Sequence, residues 1–242
     1  MKQQVQFKDL GITPYKQAWD LQEQLVKQNL EIKSANRLNQ NSSQLSTSNY
    51  LLFCEHLPVY TLGKSGNISH VLLSNEELEE KEIEFFKTNR GGDITFHGLQ
   101  QIVGYPILDL ENFYTDIGKY LRDLEQIIIN TLAEYGIIGS RSKGETGVWI
   151  DPDIPGRERK ICAMGIRCSR WITMHGFALN VNTDLTFFEN IIPCGIQNKQ
   201  VTSMKKELGY EVPLSDVQDK IKKHFERIFD TTLINYAETP ES

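Results

Sequence analysis

The chain has 242 residues, of which 39% are hydrophobic, 10% aromatic and 24% charged, the composition of a globular protein able to build a sizeable core. Its net charge of −6 at pH 7 provides no general electrostatic attraction for nucleic acid, which is therefore not an expected partner. No run approaches the ~20 apolar residues of a membrane span, and the start MKQQVQFKDLG is too polar for a secretory signal. We therefore expect a cytoplasmic protein without a membrane partner.

The first fifty residues predict a helix followed by a polar loop. Thr13-Pro14 is a typical helix start, with the Thr13 hydroxyl as N-cap and proline at the first helical position. Mostly apolar side chains then recur at near-helical spacing, which predicts an amphipathic helix over roughly 14–32. The Ser/Asn-rich segment 34–49 predicts a loop within the fold, because a strand-like run follows it at once.

The next sixty residues alternate short strands with turns. Buried strands are predicted at YLLFC (50–54) and VYTLG (59–63), and Ser74 is expected to cap a short acidic helix. The run 95–110 alternates loosely between apolar and polar residues. Pro106 within it is expected near a sheet edge or a bulge, since proline cannot donate a ladder hydrogen bond.

The clearest helical periodicity follows in the second half of the chain. Thr115 opens an amphipathic helix, and Gly136 is expected at its C′ position. Its predicted apolar face consists of Ile117, Leu121, Leu124, Ile128, Leu132 and Tyr135. Three β-rich segments come next, at 147–151, 160–168 and 174–182, in the pattern of an antiparallel meander.

Helix signals return after Ser203 and Ser215, and the chain contains no internal repeat. Helices and strands interleave throughout the sequence, which favours a mixed layered architecture. We predict an α/β (α+β) fold over 1–242, as a single domain with a mixed, largely antiparallel sheet flanked by helices.

The segment Arg90 to Tyr105, RGGDITFHGLQQIVGY, concentrates the most site-like chemistry. Gly91 and Gly92 carry no Cβ, so a ligand can lie directly against their backbone. Arg90 and His97 flank that surface with a fixed charge and a titratable ring. A Gly-Gly turn that leads into a strand with a structural histidine would give the same pattern, so the residues alone leave both interpretations open.

The four cysteines show no close CxxC spacing, which argues against a disulfide scaffold and a zinc finger. Cys194 lies between proline and glycine in IIPCGI, where a sharp turn would expose its thiol. Cys54, Cys162 and Cys168 lie in apolar strand runs, where cysteine is usually buried and inert. If one cysteine is a nucleophile, Cys194 is the best candidate.

A reactive cysteine requires a nearby cation or base that favours the thiolate. His56, His97 and His175 are possible partners, and so is Lys160 at the start of KICAM. A lysine at the mouth of an apolar pocket could accept a proton because desolvation favours the neutral amine; a snorkelling strand-end lysine is the alternative. Neither a phosphate-binding loop nor metal-ligand spacing occurs, so we expect no metal and no cofactor.

Six segments together indicate a family. They are EHLPVYTLGKSGN (55–67), RGGDITFHGLQQIVGYP (90–106), GETGVWI (144–150), RKICAMGIRCSRWITMHGFALNVNTDL (159–185), IIPCGI (191–196) and VTSMKKELG (201–209). In order and spacing, over roughly 50–210, they resemble the octanoyltransferases of lipoate synthesis, the lipoyl(octanoyl) transferases. After His97-Gly98 that family reads Pro-Gly-Gln, whereas this chain has Leu99-Gln100-Gln101. We expect this departure to change the turn after His97.

The resemblance implies a biotin/lipoate protein ligase-like fold and the activity of an octanoyl-[acyl carrier protein]:protein N-octanoyltransferase. The donor would be octanoyl-acyl carrier protein, and the acceptors would be lysines on lipoyl domains of 2-oxoacid dehydrogenases and on the glycine cleavage H protein. By position, Cys194 would hold the acyl thioester and Lys160 would lower the pKa of that thiol. The acyl site would be lined by Arg90, Gly91, Gly92, Asp93, Ile94, Thr95, Phe96, His97, Ala163, Met164, Gly165, Gly176, Phe177 and Ala178.

The residues agree with such chemistry, because several glycines would leave room for an eight-carbon chain. These are Gly91, Gly92, Gly165, Gly176 and Gly195. Two alternatives stay open. An ATP-dependent lipoate or biotin ligase would share the fold but activate a free acid as an adenylate, without needing the cysteine. A non-catalytic relative would only bind lipoyl domains or carrier proteins. The pairing of Cys194 with Lys160 argues against both.

Overall fold

The computed structural model describes residues 2–38, 44–192 and 200–236, which form eleven strands and five α-helices. The strands are β1 (Gln3–Ile12), β2 (Asn49–Glu55), β3 (Val59–Leu62), β4 (Glu84–Lys87), β5 (Ile94–His97), β6 (Gln101–Ile107), β7 (Val148–Ile150), β8 (Arg159–Ser169), β9 (Ile172–Asn180), β10 (Gln200–Val201) and β11 (Thr231–Asn235). The helices are α1 (Tyr15–Leu38), α2 (Asn75–Glu80), α3 (Ile117–Ala133), α4 (Met204–Leu208) and α5 (Leu214–Phe229).

Two sheets organise these elements. The large sheet has the order β10-β8-β9-β6-β2-β1-β11, with β7 paired to β8, and the small sheet has the order β4-β3-β5. The centre of the large sheet is antiparallel, whereas its outer pairs, β8–β10, β1–β2 and β1–β11, are parallel. This architecture confirms the predicted α/β fold with a mixed sheet, and β7, β8 and β9 form the predicted antiparallel meander.

Strand β2 shows that both faces of the large sheet are covered. Leu51 and Phe53 pack in a cluster with α3 and α5, whereas Leu52 and Cys54 pack in a cluster with α1. Successive strand side chains point to opposite faces, and all four are at most 1% exposed. Burying one such large apolar side chain stabilises the fold by roughly 1.5–3 kcal/mol. The unbroken apolar run of β2 therefore reflects two covered faces.

Helix α3 is present where the periodicity predicted it. It begins at Ile117, two residues after Thr115, because the Asp116 carboxylate caps it by accepting the Lys119 N–H at 2.8 Å. The predicted apolar face is right for Leu124, which is fully buried, and wrong for Ile117, which is 40% exposed. Within the described ranges, no helix is long and apolar enough to cross a bilayer.

The predicted polar loop at 34–49 is wrong at both ends and right for 44–48. Helix α1 continues to Leu38, and Asn49 already belongs to β2. Residues 39–43 lie outside the described residues, and 44–48 have no regular structure. The Asn49 side chain is buried and accepts the Asp109 N–H at 2.9 Å. This polar residue therefore links the start of β2 to the segment after β6.

The start of α1 also differs from the prediction. The first helical hydrogen bond runs from the Ala18 N–H to the Pro14 carbonyl at 3.2 Å, so Pro14 occupies the N-cap position. The Thr13 hydroxyl instead donates to the Leu10 carbonyl at 2.7 Å. Strand β1, which the polar sequence did not predict, precedes this turn and pairs with β2 and β11.

Pro106 lies in the middle of the large sheet, because β6 pairs with β2 on one side and β9 on the other. The expectation of a sheet edge is therefore wrong, and the pairings of β6 with β2 and β9 contain no register shift that would mark a bulge. The β6–β9 ladder ends at the pair Gly104–Phe177, and His175 on β9 has a left-handed φ of 60°. Pro106 lies beyond that last pair, where a missing N–H is tolerated.

Candidate active site

A cavity of about 470 Å³ borders both sheets. Its wall is built from β5, β6, β8 and β9, the segment before β5, and Tyr15 at the start of α1. Most of the predicted site residues line it: Arg90, Gly91, Gly92, Asp93, Ile94, Thr95, His97, Lys160, Ala163, Met164, Gly165, Gly176, Phe177 and Ala178. The fold thus brings together three segments that lie far apart in the sequence.

Phe96 does not line this cavity. Its ring stacks on that of Phe187, with centroids 4.6 Å apart, and meets Phe188 edge-on at 5.4 Å. Its neighbours in β5, Thr95 and His97, do line the cavity. Phe96 therefore belongs to the apolar core beneath the small sheet.

Small residues form the part of the wall contributed by β8 and β9. Ala163 is paired with Ala178, and Gly165 with Gly176, in the antiparallel β8–β9 ladder. Directly opposed residues point to the same face of a sheet, and all four line the cavity. These two neighbouring pairs line a groove of the cavity and add no bulky side chain to it, which suits an unbranched apolar chain.

Gly165 and Gly176 are also required by the packing of the protein backbone. An added Cβ at Gly176 would lie 2.2 Å from the Gly104 carbonyl oxygen, and one at Gly165 would lie 2.8 Å from that of Gly91. At Gly91 the nearest atom to such a Cβ is the Ile166 carbonyl oxygen, 3.4 Å away. The need for ligand space is thus enough to explain why glycine occupies position 91. At positions 165 and 176 the packing of the backbone also requires glycine.

Arg90 places a fixed positive charge in the cavity wall. It is 8% exposed, and its Nη2 donates to the Thr61 carbonyl and, at 2.9 Å, to the Thr61 hydroxyl. Its Nη1 donates to the Gly91 carbonyl at 3.0 Å, while the Gly91 N–H donates to the Ile166 carbonyl at 2.9 Å. These bonds tie the RGG segment to β3 and β8. A buried guanidinium held in this way stabilises negative charge that develops on a ligand.

His97 belongs to a chain of polar side chains across β5, β6 and β9. Its Nδ1 donates to the Gln101 Oε1 at 2.9 Å, and the Gln101 Nε2 donates to the Asn180 Oδ1 at 2.8 Å. Its Nε2 faces the Thr61 hydroxyl at 3.4 Å, so we assign the neutral tautomer with the proton on Nδ1. Burial lowers the pKa of His97 well below its usual range. His97 therefore shapes the cavity as a neutral ring.

His56 and His175, the other candidate partners of a thiol, are neutral as well. The His56 Nδ1 donates to the Thr13 carbonyl at 2.7 Å, and its Nε2 accepts from the Tyr105 hydroxyl at 2.8 Å. The His175 Nε2 donates to the Asn89 Oδ1 at 2.7 Å. Desolvation by burial lowers the pKa of His56 to about 4 and the pKa of His175 to about 3. Of these two, only His175 reaches the cavity.

Lys160 lies near the start of β8, opposite Trp149 of β7. Its Nζ is 4.5 Å from the centroid of the Trp149 ring. On its other side Lys160 pairs with Val201 of β10, and its carbonyl accepts the Thr202 N–H at 2.9 Å. The backbone of Lys160 is therefore fixed from both sides, while its side chain lines the cavity.

A buried carboxylate on α3 orders the turn beside Lys160. Glu125 is fully buried and accepts the Gly147 N–H at 3.0 Å. Gly147 has a φ of 113°, which residues with a side chain rarely adopt, and an added Cβ there would lie 3.7 Å from the Lys160 Cδ. Thr146, in the same turn, lines the cavity. The GETGVWI segment therefore shapes the cavity at its Lys160 end.

Cys194 falls in 193–199, outside the described residues. Before that segment, the Ile192 N–H donates to the His70 carbonyl at 2.9 Å. Cys54 and Cys162 are buried as expected, and burial raises the pKa of both thiols. Cys168 is half-buried, and desolvation raises the pKa of its thiol too. None of these three is disposed to form a thiolate.

Several cavity residues were not predicted from the sequence, among them Tyr15, Gln101, Tyr105 and Asn180. Gln101 and Asn180 carried a signal, because each is a polar side chain in an apolar strand run, and each is buried here. The sequence around Tyr15 carried no such signal, because only the packing of α1 against the sheets brings its ring to the cavity.

Comparison with known proteins extends this description. The model of the lipoyl protein ligase A/B catalytic domain matches residues 14–226. Among solved structures, the bi-partite lipoate protein ligase of an archaeal lipoylation system, from Thermoplasma acidophilum, superimposes with a TM-score of 0.70. That likeness covers 98% of this chain and 88% of the other at 15% identity, and it shows a shared fold.

Curated relatives are much more similar in sequence. An octanoyltransferase of Flavobacterium psychrophilum is 60% identical over 235 residues, which cover 97% of this chain and 100% of that protein. An octanoyltransferase of Christiangramia forsetii is 56% identical over 234 residues, which cover 96% of this chain and 99% of that protein. The chain therefore belongs to the lipoyl protein ligase A/B catalytic domain family and, within it, to the octanoyltransferases.

Proposed function

We propose that this protein transfers an octanoyl group from octanoyl-acyl carrier protein to a specific lysine of a lipoyl domain, through a thioester on Cys194. The observation that carries the proposal is the cavity, whose groove of small residues on β8 and β9 extends to Lys160. The acceptors are lipoyl domains of 2-oxoacid dehydrogenases and the glycine cleavage H protein. The archaeal ligase with this fold was analysed together with its E2 lipoyl domain, which agrees with such an acceptor.

In the first step Cys194 takes the acyl group. Lys160 accepts the thiol proton, and the thiolate attacks the carbonyl carbon of the carrier thioester. The carrier C–S bond breaks, and the carrier thiol leaves with the proton that Lys160 held. One thioester replaces another, so the step is nearly neutral in free energy. Val201, which follows the segment with Cys194, pairs with Lys160 and lines the cavity, in agreement with this pairing of roles.

In the second step the amine of the acceptor lysine attacks the Cys194 thioester. A C–N bond forms, the C–S bond breaks, and the amine proton passes to Lys160 and then to the departing Cys194 thiolate. An amide is more stable than a thioester, so this step is downhill. The neutral histidines of the cavity leave Lys160 as the proton carrier.

Burial of the acyl chain accounts for its binding. At about 0.8 kcal/mol per CH₂, the six methylenes of an octanoyl group contribute roughly 5 kcal/mol when they are removed from water. The groove formed by Ala163, Gly165, Gly176 and Ala178 offers the apolar surface that this requires.

Mass spectrometry of the acyl-enzyme tests the proposal. Incubation with octanoyl-acyl carrier protein should add one octanoyl mass that hydroxylamine removes, and Cys194→Ala should abolish both the adduct and transfer. Cys168→Ser is the matched control, because that thiol is half-buried on β8 and should be dispensable. Lys160→Met should slow both half-reactions. A persistent adduct in Cys194→Ala would refute the thioester, and tight lipoyl-domain binding without turnover would indicate a binding module.

An ATP-dependent lipoate ligase is the second candidate, favoured by the likeness of the fold to that of the archaeal ligase. Such an enzyme would octanoylate a lipoyl domain from free octanoate and ATP, without acyl carrier protein. Product formation under those conditions that survives Cys194→Ala would establish this function. No product with ATP, together with product from the carrier thioester, would exclude it.

A further inference from the structure

The cavity has two ends that are defined by strand β8. Lys160 marks one end, and Gly165 lies five residues further along the strand, which corresponds to about 16 Å at the rise of an extended chain. At that second end Gly165 is paired with Gly176, and Ile166 with His175. An octanoyl chain has seven C–C bonds, and because each bond of about 1.5 Å advances the zigzag chain by about 1.3 Å, it spans about 9 Å when extended. The acyl chain therefore fills a little over half of the groove, and the thioester and the Lys160 side chain occupy the remaining length.

Helix α1 covers the end of the cavity opposite Lys160. The Gln22 side chain accepts the His175 N–H at 3.0 Å, and the Trp19 ring lies 6.4 Å from the His175 ring. One turn earlier in the same helix, Tyr15 lines the cavity. The helix thus places its first aromatic residue across the distal end of the groove.

The ring of Tyr15 is supported from behind by other rings. It stacks on His97, with centroids 6.0 Å apart and an interplanar angle of 11°, and it contacts His56 at 5.3 Å and Phe86 at 5.2 Å. Only 2% of Tyr15 is exposed. The ring cannot move away from the cavity without displacing this cluster, because close-packed side chains leave little free volume on that side.

The backbone in front of Tyr15 is also fixed. The Thr13 N–H donates to the Glu55 carbonyl at 2.9 Å, and the Thr13 carbonyl accepts from the His56 Nδ1 at 2.7 Å. These bonds hold the start of α1 to the end of β2. A chain that reaches Tyr15 therefore meets a rigid wall.

Hydrogen bonding of the Tyr15 hydroxyl within the described residues does not account for the position of the ring. Over 2–38, 44–192 and 200–236, no residue forms a hydrogen bond with it, although the residue is buried and faces the cavity. Buried polar groups are normally hydrogen-bonded. Within the described residues, the contacts that fix Tyr15 are therefore those of its ring.

We propose that Tyr15 determines the length of the acyl chain, because its ring closes the end of the groove opposite Lys160. The inference rests on the proposed function, since it requires an acyl chain in the cavity with its thioester near Lys160. Chains longer than the groove must displace the ring, and shorter chains lose the contact of one methylene after another. Each methylene changes the affinity about fourfold.

A series of acyl-acyl carrier proteins from hexanoyl to tetradecanoyl tests this assignment. Acyl-enzyme formation is measured for the wild type, Tyr15→Ala and Tyr15→Phe. In Tyr15→Ala the ratio of kcat/KM for dodecanoyl to that for octanoyl should rise at least tenfold. Tyr15→Phe should retain the wild-type order of chain lengths, because it keeps the ring and loses only the hydroxyl. Tyr15→Leu, which retains more apolar contact, should shift the ratio in the same direction and serves if the alanine variant does not fold.

The outcomes separate the two proposals. If the wild type forms an octanoyl-enzyme and the Tyr15→Ala and Tyr15→Leu variants keep the same chain-length profile, the role of Tyr15 is refuted while the acyltransferase stands. If Tyr15→Phe shifts the profile as much as Tyr15→Ala, the hydroxyl sets the length and the ring does not, which also refutes the inference. If the wild type forms no acyl-enzyme with any chain, the proposed function fails first.

Discussion

Trp149 and Lys160 face each other across the β7–β8 pair, with the Lys160 Nζ 4.5 Å from the centroid of the Trp149 ring. Trp149 is 1% exposed, so the ring is a fixed platform. A cation over a tryptophan face is stabilised by about 0.5–2 kcal/mol, depending on its desolvation. The pair holds the ammonium of Lys160 at the cavity.

Removing the ring should therefore slow acyl transfer. We expect Trp149→Leu to lower the rate of acyl-enzyme formation by about 2- to 30-fold, the equivalent of the lost cation–π energy. Trp149→Phe, which keeps an aromatic face, should lose less. Single-turnover kinetics with octanoyl-acyl carrier protein measures both, and equal losses in the two variants would show that the ring acts only through packing. Thermal unfolding of both variants is the control, because it shows whether a lower rate reflects a smaller fraction of folded protein.

The turn after His97 makes a second prediction, about Gln100. Gln100 has a left-handed φ of 62°, at the position where the related family carries glycine. Its N–H donates to the Glu55 carboxylate at 2.6 Å, and its carbonyl accepts from the Asn182 N–H at 3.0 Å. These bonds hold a conformation that costs a non-glycine residue roughly 1–2 kcal/mol.

Gln100→Gly should therefore be more stable than Gln100→Ala by about 1 kcal/mol, because both variants lose the side chain but only glycine relieves the strain. Urea unfolding monitored by circular dichroism measures the difference. At the neighbouring Leu99, which does not have a positive φ, alanine should be at least as stable as glycine. If the glycine variant were more stable than the alanine variant at both positions, or less stable at both, the proposed backbone strain at Gln100 would be refuted.

The glycines of the cavity give a third prediction. A Cβ at position 176 would lie 2.2 Å from the Gly104 carbonyl oxygen, and backbone cannot move aside as a flexible side chain can. Gly176→Ala should therefore lower the free energy of unfolding by at least about 2 kcal/mol. Gly91→Ala is the matched comparison, because its nearest neighbour would be 3.4 Å away and its unfolding should resemble that of the wild type. Melting temperatures test this, and equal losses in both variants would refute the distinction.

The difference between Gly91 and Gly176 also shows what a sequence can predict about such a site. The motifs identified segments that the fold brings together, since Arg90, Lys160 and Gly176 line one cavity. The motifs did not separate glycines that face a ligand from glycines that face another strand. That distinction depends on the approach of β6 to β9, which no local pattern encodes.

Strand β1 and Tyr15 were missed for a related reason. The sequence QQVQFKDLGI of β1 is polar and lacks clear alternation, and it becomes a strand because β2 and β11 pair with it. Tyr15 has an ordinary helical context, and its place in the cavity follows from how α1 crosses the sheet. Helix α3, by contrast, was predicted well because its apolar residues have a strong helical periodicity. The meander β7–β8–β9 was predicted well because short connections join its strands. Long-range pairing, and not local propensity, decided the elements that were missed.

The buried histidines predict how stability depends on pH. Desolvation lowers the pKa of His56 to about 4 and the pKa of His175 to about 3, whereas histidine in an unfolded chain titrates near 6.5. Between pH 6.5 and 4 the unfolded state binds protons that the native state does not, so the free energy of unfolding falls as the pH falls. Stability from these groups is fully present above pH 6.5 and is lost progressively towards pH 4. Each unit of pKa difference corresponds to about 1.4 kcal/mol.

Urea unfolding at a series of pH values tests this directly. The wild type should lose several kcal/mol between pH 6.5 and 4, and His175→Gln should lose less over the same range because one titrating group is gone. The unfolding free energy of each protein at pH 8, where neither histidine is charged in the native or the unfolded state, provides the reference. An equal loss in His175→Gln and in the wild type would mean that His175 is protonated in the native state. That would contradict the neutral ring that its burial favours.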